Sequence, residues 1–260
     1  ENFERISAID VSHNTQLTVL YCNKNNLGSL DVSHNTQLTE LDCSYNQLIS
    51  LDVSGCTQLT GLWCNGNKLS SLDVSGCTQF TELVCSYNQL TSLDVSKNTK
   101  LWRLLCGSNQ LTSLDVSGCT KLGWLTCSNN QLTTLDLSNN TQLMTLYCFD
   151  NKFTTAALDD IYCALPDRTG KYSGEIFPLH DTSSVAERSI VKATNAANAT
   201  AKNWKVQCLS QYNTDIATTG TYVCGTVHLD TYITLTVKSG AVIKLDFKAA
   251  ADGTPVRIVS

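Results

Sequence analysis

Residues 36–56 read TQLTELDCSYNQLISLDVSGC, and this 21-residue phrase returns seven times along the chain with small edits. Superposed, the copies stack Leu17, Leu38, Leu59, Phe80, Leu101, Leu122 and Leu143 in one column and Leu20, Leu41, Leu62, Leu83, Leu104, Leu125 and Leu146 in a second. A third column is cysteine, from Cys22 to Cys148, and a fourth is asparagine, from Asn25 to Asn151. With so strict a period, each unit has only its neighbours against which to bury its apolar face. The chain must stack as a solenoid instead of closing into a globule.

Inside one copy, apolar and variable positions alternate through Leu38, Leu41 and Cys43, the period-two signature of a short strand with its apolar members facing the core. Asn46 follows where the strand bends away, and its amide is expected to turn onto backbone groups that the turn leaves unpaired. The second half, Leu48 to Ser54, is rich in Ser, Thr and Asp and has no 3.6-residue pattern, so it reads as extended, not helical. An aspartate column, Asp10 to Asp136, places like charges about 5 Å apart at a cost of roughly 0.8 kcal/mol per neighbouring pair. The expectation is that each carboxylate accepts hydrogen bonds from the following turn; the other reading, a row of cation sites, lacks multidentate loop spacing.

The 260 residues carry 18 basic and 23 acidic side chains and a net charge of -5, with no basic run. That composition supports a core and excludes phosphate tracking along nucleic acid. No apolar run reaches the roughly 18–20 residues that span a bilayer. Thirteen cysteines invite a disulfide framework, but seven occupy one inward column, where side chains about 4.8 Å apart point the same way, wider than the ~3.8 Å that a bridge prefers. They read as free, buried thiols. Cys56, Cys77 and Cys119 share a turn column with Asn14, Asn35, Asn98 and Asn140, which leaves a Cys56–Cys77 bridge open.

The repeat is already running at Ile6, Ile9, Asp10 and Val11 with its first half missing, so more chain is expected upstream. After Phe153, Thr154 to Leu165 reads as a helix with a threonine cap, early acids and a stop at Pro166. Gly174–Leu179 and Trp204–Cys208 read as strands that extend the same sheet, with a broken helix across Val185 to Lys202. From Thr221 the alternation in TYVCGTVHL, TYITLTV, AVIKLDF and PVRIV is that of antiparallel β structure. Three segments are therefore expected: a solenoid at 1–153, an α/β cap at 154–214 and an antiparallel β module at 215–260. The module is either part of a tandem β domain or packs on the solenoid, and its unpaired edge is a place for weak self-association.

The pattern L-x-x-L-x-C-x-x-N-x-L-x-x-L-D-V-S over residues 6–153 resembles leucine-rich repeats, specifically the short 21-residue bacterial class called IRREKO. Such repeats are similar to those of internalin-like bacterial surface proteins, particularly in Bacteroidetes. The resemblance implies an α/β-type leucine-rich repeat solenoid, mostly β with a parallel sheet. It also implies recognition of a protein or glycan, not catalysis, and a secreted or cell-surface setting, with lipid anchoring of the full-length protein as one way to be held there.

Positions between the inward residues vary from copy to copy and collect aromatics. Tyr21, Tyr45, Trp63, Tyr87, Trp124, Tyr147 and Phe149, with Arg103 among them, form a candidate partner-binding stripe on the exposed sheet face. The plainer reading is that aromatics favour strands and pack against each other on an idle face. A protein partner is the first expectation; a glycan using the rings as platforms, or a ligand-free spacer between domains, are the alternatives. His13, His34, His180 and His228 have no nucleophile or carboxylate at a catalytic spacing, and no phosphate-cradling glycine loop, paired CxxC or HExxH occurs. His13 and His34, one coil apart, read as solvated turn residues in preference to a metal pair. No catalytic residue, metal or cofactor is assigned.

Overall fold

The computed structural model describes residues 5–180, 182–209 and 214–215. The strands expected from Thr221 onward, their edge, and His228 lie outside the described residues. Seven three-residue strands come first: β1 (Val19–Tyr21), β2 (Glu40–Asp42), β3 (Gly61–Trp63), β4 (Glu82–Val84), β5 (Arg103–Leu105), β6 (Trp124–Thr126) and β7 (Thr145–Tyr147). Then follow α1 (Thr155–Ala164), β8 (Gly174–His180), α2 (Val185–Lys192), α3 (Ala197–Thr200), β9 (Trp204–Leu209) and β10 (Thr214–Asp215). One open sheet takes the strands in chain order, parallel throughout except that β10 runs antiparallel to β9.

The register is the sequence period made physical. Leu20 lies beside Leu41, Leu41 beside Leu62, and so on to Leu125 beside Leu146. The middle residue of each of the first seven strands is a buried leucine, and the leucine and cysteine columns behind it make one continuous core. Each fully buried leucine contributes about 1.5–3 kcal/mol. The second half of each coil forms neither helix nor strand. It is tied to its neighbour by a backbone bond such as Gln47 N–H to the Leu27 carbonyl at 2.9 Å, so only one side of the solenoid is a sheet.

The asparagine column does more than satisfy its own turn. The Asn46 amide donates to the Cys22 carbonyl of the previous coil and the Cys43 carbonyl of its own, each at 3.0 Å, while its oxygen accepts the Leu27 amide at 3.0 Å. Asn67 repeats this with Cys43, Cys64 and Leu48. Each side chain is thus a rivet between consecutive coils.

Eleven of the described cysteines, from Cys22 to Cys163 with Cys56 and Cys77 among them, are free thiols, and all of these but Cys163 are buried. In the turn column the thiol takes over the amide's work. Asn35 donates to the Val11 and Asn14 carbonyls at 3.0 and 2.9 Å, and one coil on the Cys56 thiol lies 3.6 and 3.8 Å from the Val32 and Asn35 carbonyls. Cysteine replaces asparagine there because both donate to the coil before. Along the ladder, burial pushes the thiols up, to about 11 at Cys22 and about 12 at Cys85 and Cys127, so they stay protonated and unreactive.

After the repeats, Thr154 caps α1 by accepting the Ala157 amide at 3.2 Å. The acids expected early in α1 are not there: its first turn has none, and Asp159 instead accepts the Asn195 amide at 2.7 Å, joining α1 to the loop before α3. At the other end the Lys202 ammonium reaches the Leu165 carbonyl at 3.0 Å, a favourable charge for a helix C-terminus. β8 pairs with β7 and β9, its register with β9 shifting between Ile176 and Leu179. Pro178 falls inside that irregularity, where a missing N–H costs least.

Candidate functional site

The residues flanking each central leucine point away from the core and make the outer face of the sheet. They are joined into a chain of contacts that crosses six strands, β3 to β8. Trp63 Nε1 donates to Glu82 Oε1 at 2.9 Å, and Arg103 Nη1 donates to the same oxygen at 2.7 Å. The Arg103 guanidinium lies 5.3 Å from the centre of the Trp124 ring, a cation–π arrangement. Trp124 stacks on Tyr147 with centroids 6.1 Å apart, and Tyr147 on Phe177 at 4.4 Å and 3°.

At the first strands the chemistry is acidic and phenolic: the Tyr21 hydroxyl donates to Glu40, and the Asp42 carboxylate accepts the Ser44 amide at 3.0 Å and its hydroxyl at 2.6 Å. The Tyr21 phenol is raised above its ordinary 10.0, first by its bond to Glu40, and so stays a donor at neutral pH.

Flat-lying aromatics rest on glycines. A methyl added to Gly61 would sit 2.5 Å from Trp63 Cη2, one on Gly66 2.8 Å from Tyr45 Cδ1, and one on Gly123 2.5 Å from Trp102 Nε1. In a sheet, a glycine covered by a neighbouring ring recovers the burial its missing side chain forgoes. The sequence carries this signal as G-x-W at 61–63 and as Tyr45 and Trp102 each one repeat before a glycine, but read as columns of variable letters it went unseen.

The residue before each rivet asparagine has a left-handed backbone: φ is 56° at Lys24, 52° at Tyr45, 68° at Gly66, 56° at Tyr87, 54° at Ser108, 53° at Asn129 and 52° at Asp150. Two tyrosines therefore occupy a conformation that suits glycine, at a cost of about 1–2 kcal/mol each, and the two residues are 52% and 64% exposed. Tyr87 borders a shallow depression of about 260 Å³ shared with Leu105, Trp124, Tyr147 and Leu209.

Of the expected stripe, Tyr21, Tyr45 and Tyr87 are exposed, and Trp63, Arg103, Trp124 and Tyr147 half-buried. Phe149 differs: it is 7% exposed, with its ring 5.1 Å from that of His180, so it floors the depression and presents little to solvent. Val84, the register partner of Trp63 on β4, is also buried. Phe177 was missed because its strand follows a helix and falls outside the repeat. Among the described residues no group of three His, Cys, Asp or Glu side chains is placed to hold a metal, and no helix is long and apolar enough to cross a membrane.

A family model for leucine-rich repeats, two copies, matches residues 36–76. The functional domain of InlJ from Listeria monocytogenes, described as including a cysteine ladder, is 31% identical with a TM-score of 0.55 over 79% of this chain and 46% of its own. The chain thus spans about half the length of that relative. Internalin C2 of the same organism is 22% identical with a TM-score of 0.57, over 76% of this chain and 84% of its own. The leucine-rich repeat ectodomain of the Arabidopsis thaliana receptor kinase GASSHO1/SCHENGEN3, solved in complex with CASPARIAN STRIP INTEGRITY FACTOR 2, is 24% identical with a TM-score of 0.53, over 64% and 22%. No curated protein matches the sequence. The fold is a leucine-rich repeat solenoid like those of the internalins, and such repeats are generally non-catalytic binding scaffolds.

Proposed function

We propose that this leucine-rich repeat solenoid is a non-catalytic recognition module of a bacterial secreted or cell-surface protein, and that it binds a protein partner on the outer face of its sheet. The observation that carries the reading is the pair Tyr45 and Tyr87, held in left-handed backbone with their rings in solvent. Backbone strain of this kind concentrates at functional positions. Resemblance to the InlJ domain, with its cysteine ladder, supports the bacterial surface setting.

A protein is preferred to a glycan because a sugar stacks on an open ring face. Tyr147 is stacked on both sides, by Trp124 and Phe177, and Trp124 has Arg103 as well as Tyr147 against it. These rings present edges, which suit packing against another protein's side chains.

The test is parallel screening of the chain on arrays of surface proteins and of glycans, with a Tyr45→Gly, Tyr87→Gly variant alongside. A protein ligand that the variant loses supports the reading. A glycan ligand lost in a Trp63→Ala, Trp124→Ala variant, with no protein ligand, overturns it in favour of sugar recognition. Silence on both arrays overturns it in favour of a spacer.

A further inference from the structure

Trp63 differs from Trp124 and Tyr147 on the sheet face. Trp124 and Tyr147 are covered by one another, by Arg103 and by Phe177. Among the described residues no ring and no cation lies on Trp63. Its indole rests on Gly61 and is held there by its bond to Glu82.

The parallel register then places two more carboxylates beside it. Glu40 is the partner of Gly61 and Asp42 the partner of Trp63, both on β2. Glu82 is neutralised by Arg103, the one ion pair among the described residues. Glu40 takes the Tyr21 hydroxyl on Oε2, and Asp42 takes the Ser44 amide and hydroxyl on Oδ1. Their other oxygens, Glu40 Oε1 and Asp42 Oδ2, accept no hydrogen bond among the described residues, and no lysine or arginine pairs with either. Two uncompensated negative charges therefore lie on the strand beside a half-buried indole that, among the described residues, no other ring or cation covers.

A cation is drawn to an indole face by the ring quadrupole, and a carboxylate at its edge adds a charge-assisted hydrogen bond. We infer that Trp63, Glu40 and Asp42 form the seat for a lysine or arginine side chain of the protein partner, so that the partner presents a basic residue to the first half of the sheet face. The inference rests on reading that face as a protein-binding surface. Gly61 and Glu82 are positioning residues: one leaves room for the indole to lie flat and the other fixes its nitrogen. Charge complementarity also sets the orientation of the partner, because the second half of the face offers stacked rings in place of this acidic border.

The test uses an acetylated, amidated tetra-lysine peptide and follows the indole N–H resonances of the isotope-labelled protein, one for each of its four tryptophans. The Trp63 resonance is expected to move alone and saturably, with a response that weakens as salt is raised. The Glu40→Gln, Asp42→Asn variant keeps the acceptors for Tyr21 and Ser44 and removes the charge. It is expected to need about tenfold more peptide for the same shift, a loss of about 1.4 kcal/mol, with the other indoles unmoved. No shift at millimolar peptide, a common shift of all four indoles, or an undiminished response in the double variant overturns the inference. A protein ligand whose binding ignores both that variant and Trp63→Leu overturns the basic seat and leaves the protein-binding reading standing. A Trp63-specific peptide response in a chain that binds no protein does the reverse.

Discussion

At position 45 the backbone is left-handed beneath a tyrosine, and at 66, one coil on, beneath a glycine. The contrast makes a prediction about stability. Because glycine adopts this conformation freely and an L side chain pays about 1–2 kcal/mol, Tyr87→Gly should raise stability by about 1 kcal/mol in urea unfolding while weakening partner binding, and Tyr45→Gly should gain less because its ring covers Gly66. Loss of stability would mean that the rings are structural. The two kinds of asparagine also separate. In Asn67→Ala the Leu48 amide and the Cys43 and Cys64 carbonyls lose their partner, a cost of about 2–4 kcal/mol. In the turn column the Asn98 oxygen is buried without a partner, and its amide already has a working replacement in the thiols at Cys77 and Cys119. Asn98→Cys should therefore unfold within about 1 kcal/mol of the parent. The sequence announced the first column plainly, but not the left-handed one, because Lys, Tyr, Gly, Ser, Asn and Asp at one position do not spell a backbone sign; only Gly66, Asn129 and Asp150 hint at it.

In the turn that closes each coil, the aspartate accepts the amide of the serine two residues on, as Asp52 does from Ser54 and Asp73 from Ser75, both at 2.9 Å. These carboxyls lie below the ordinary 3.8, chiefly through the backbone amide and then the serine hydroxyl; at Asp31 and Asp115 the hydroxyl leads. A carboxyl depressed on folding stabilises the native state above its unfolded value and loses that contribution as pH falls through the folded one. The melting temperature should therefore fall as pH drops below 3.8, and an Asp52→Asn, Asp73→Asn variant should show a shallower fall. An unchanged acid profile would mean that the turns hold without the charge. Strands and turns were legible because each carries a repeated letter. The cap was legible in its elements but not in its joints: the Asp159 bond to the loop before α3 links residues far apart in sequence, and no local pattern encodes it.

The repeats form a stack in which each coil touches only its neighbours, and the chemistry of the molecule follows from that. Of the twelve described cysteines, Cys163 alone is exposed, on α1. Brief alkylation of the native protein, read by peptide mass spectrometry, should modify Cys163 and leave the ladder from Cys22 to Cys148 untouched until denaturant is added. Rapid labelling within the ladder would mean that the coils open. The fold class was readable from the period alone, since nothing but stacking can bury a face repeated so regularly. The candidate site was readable only as a list of variable residues, because which rings lie flat, which stack and which sink, as Phe149 does, depends on neighbours one coil away.

That register has a consequence for how such a chain changes over generations. Val19 meets Glu40 and Glu40 meets Gly61 by the same offset, and each asparagine rivet spans that same step. Loss or duplication of one whole coil would restore every internal joint, whereas a change of any other length would break them. Length is therefore inherited in quanta, and each quantum slides the acidic platform and the aromatic stack nearer together or further apart. A gene encoding this architecture can alter the spacing of its contact points by recombination between its own copies, without ever passing through an unfolded intermediate.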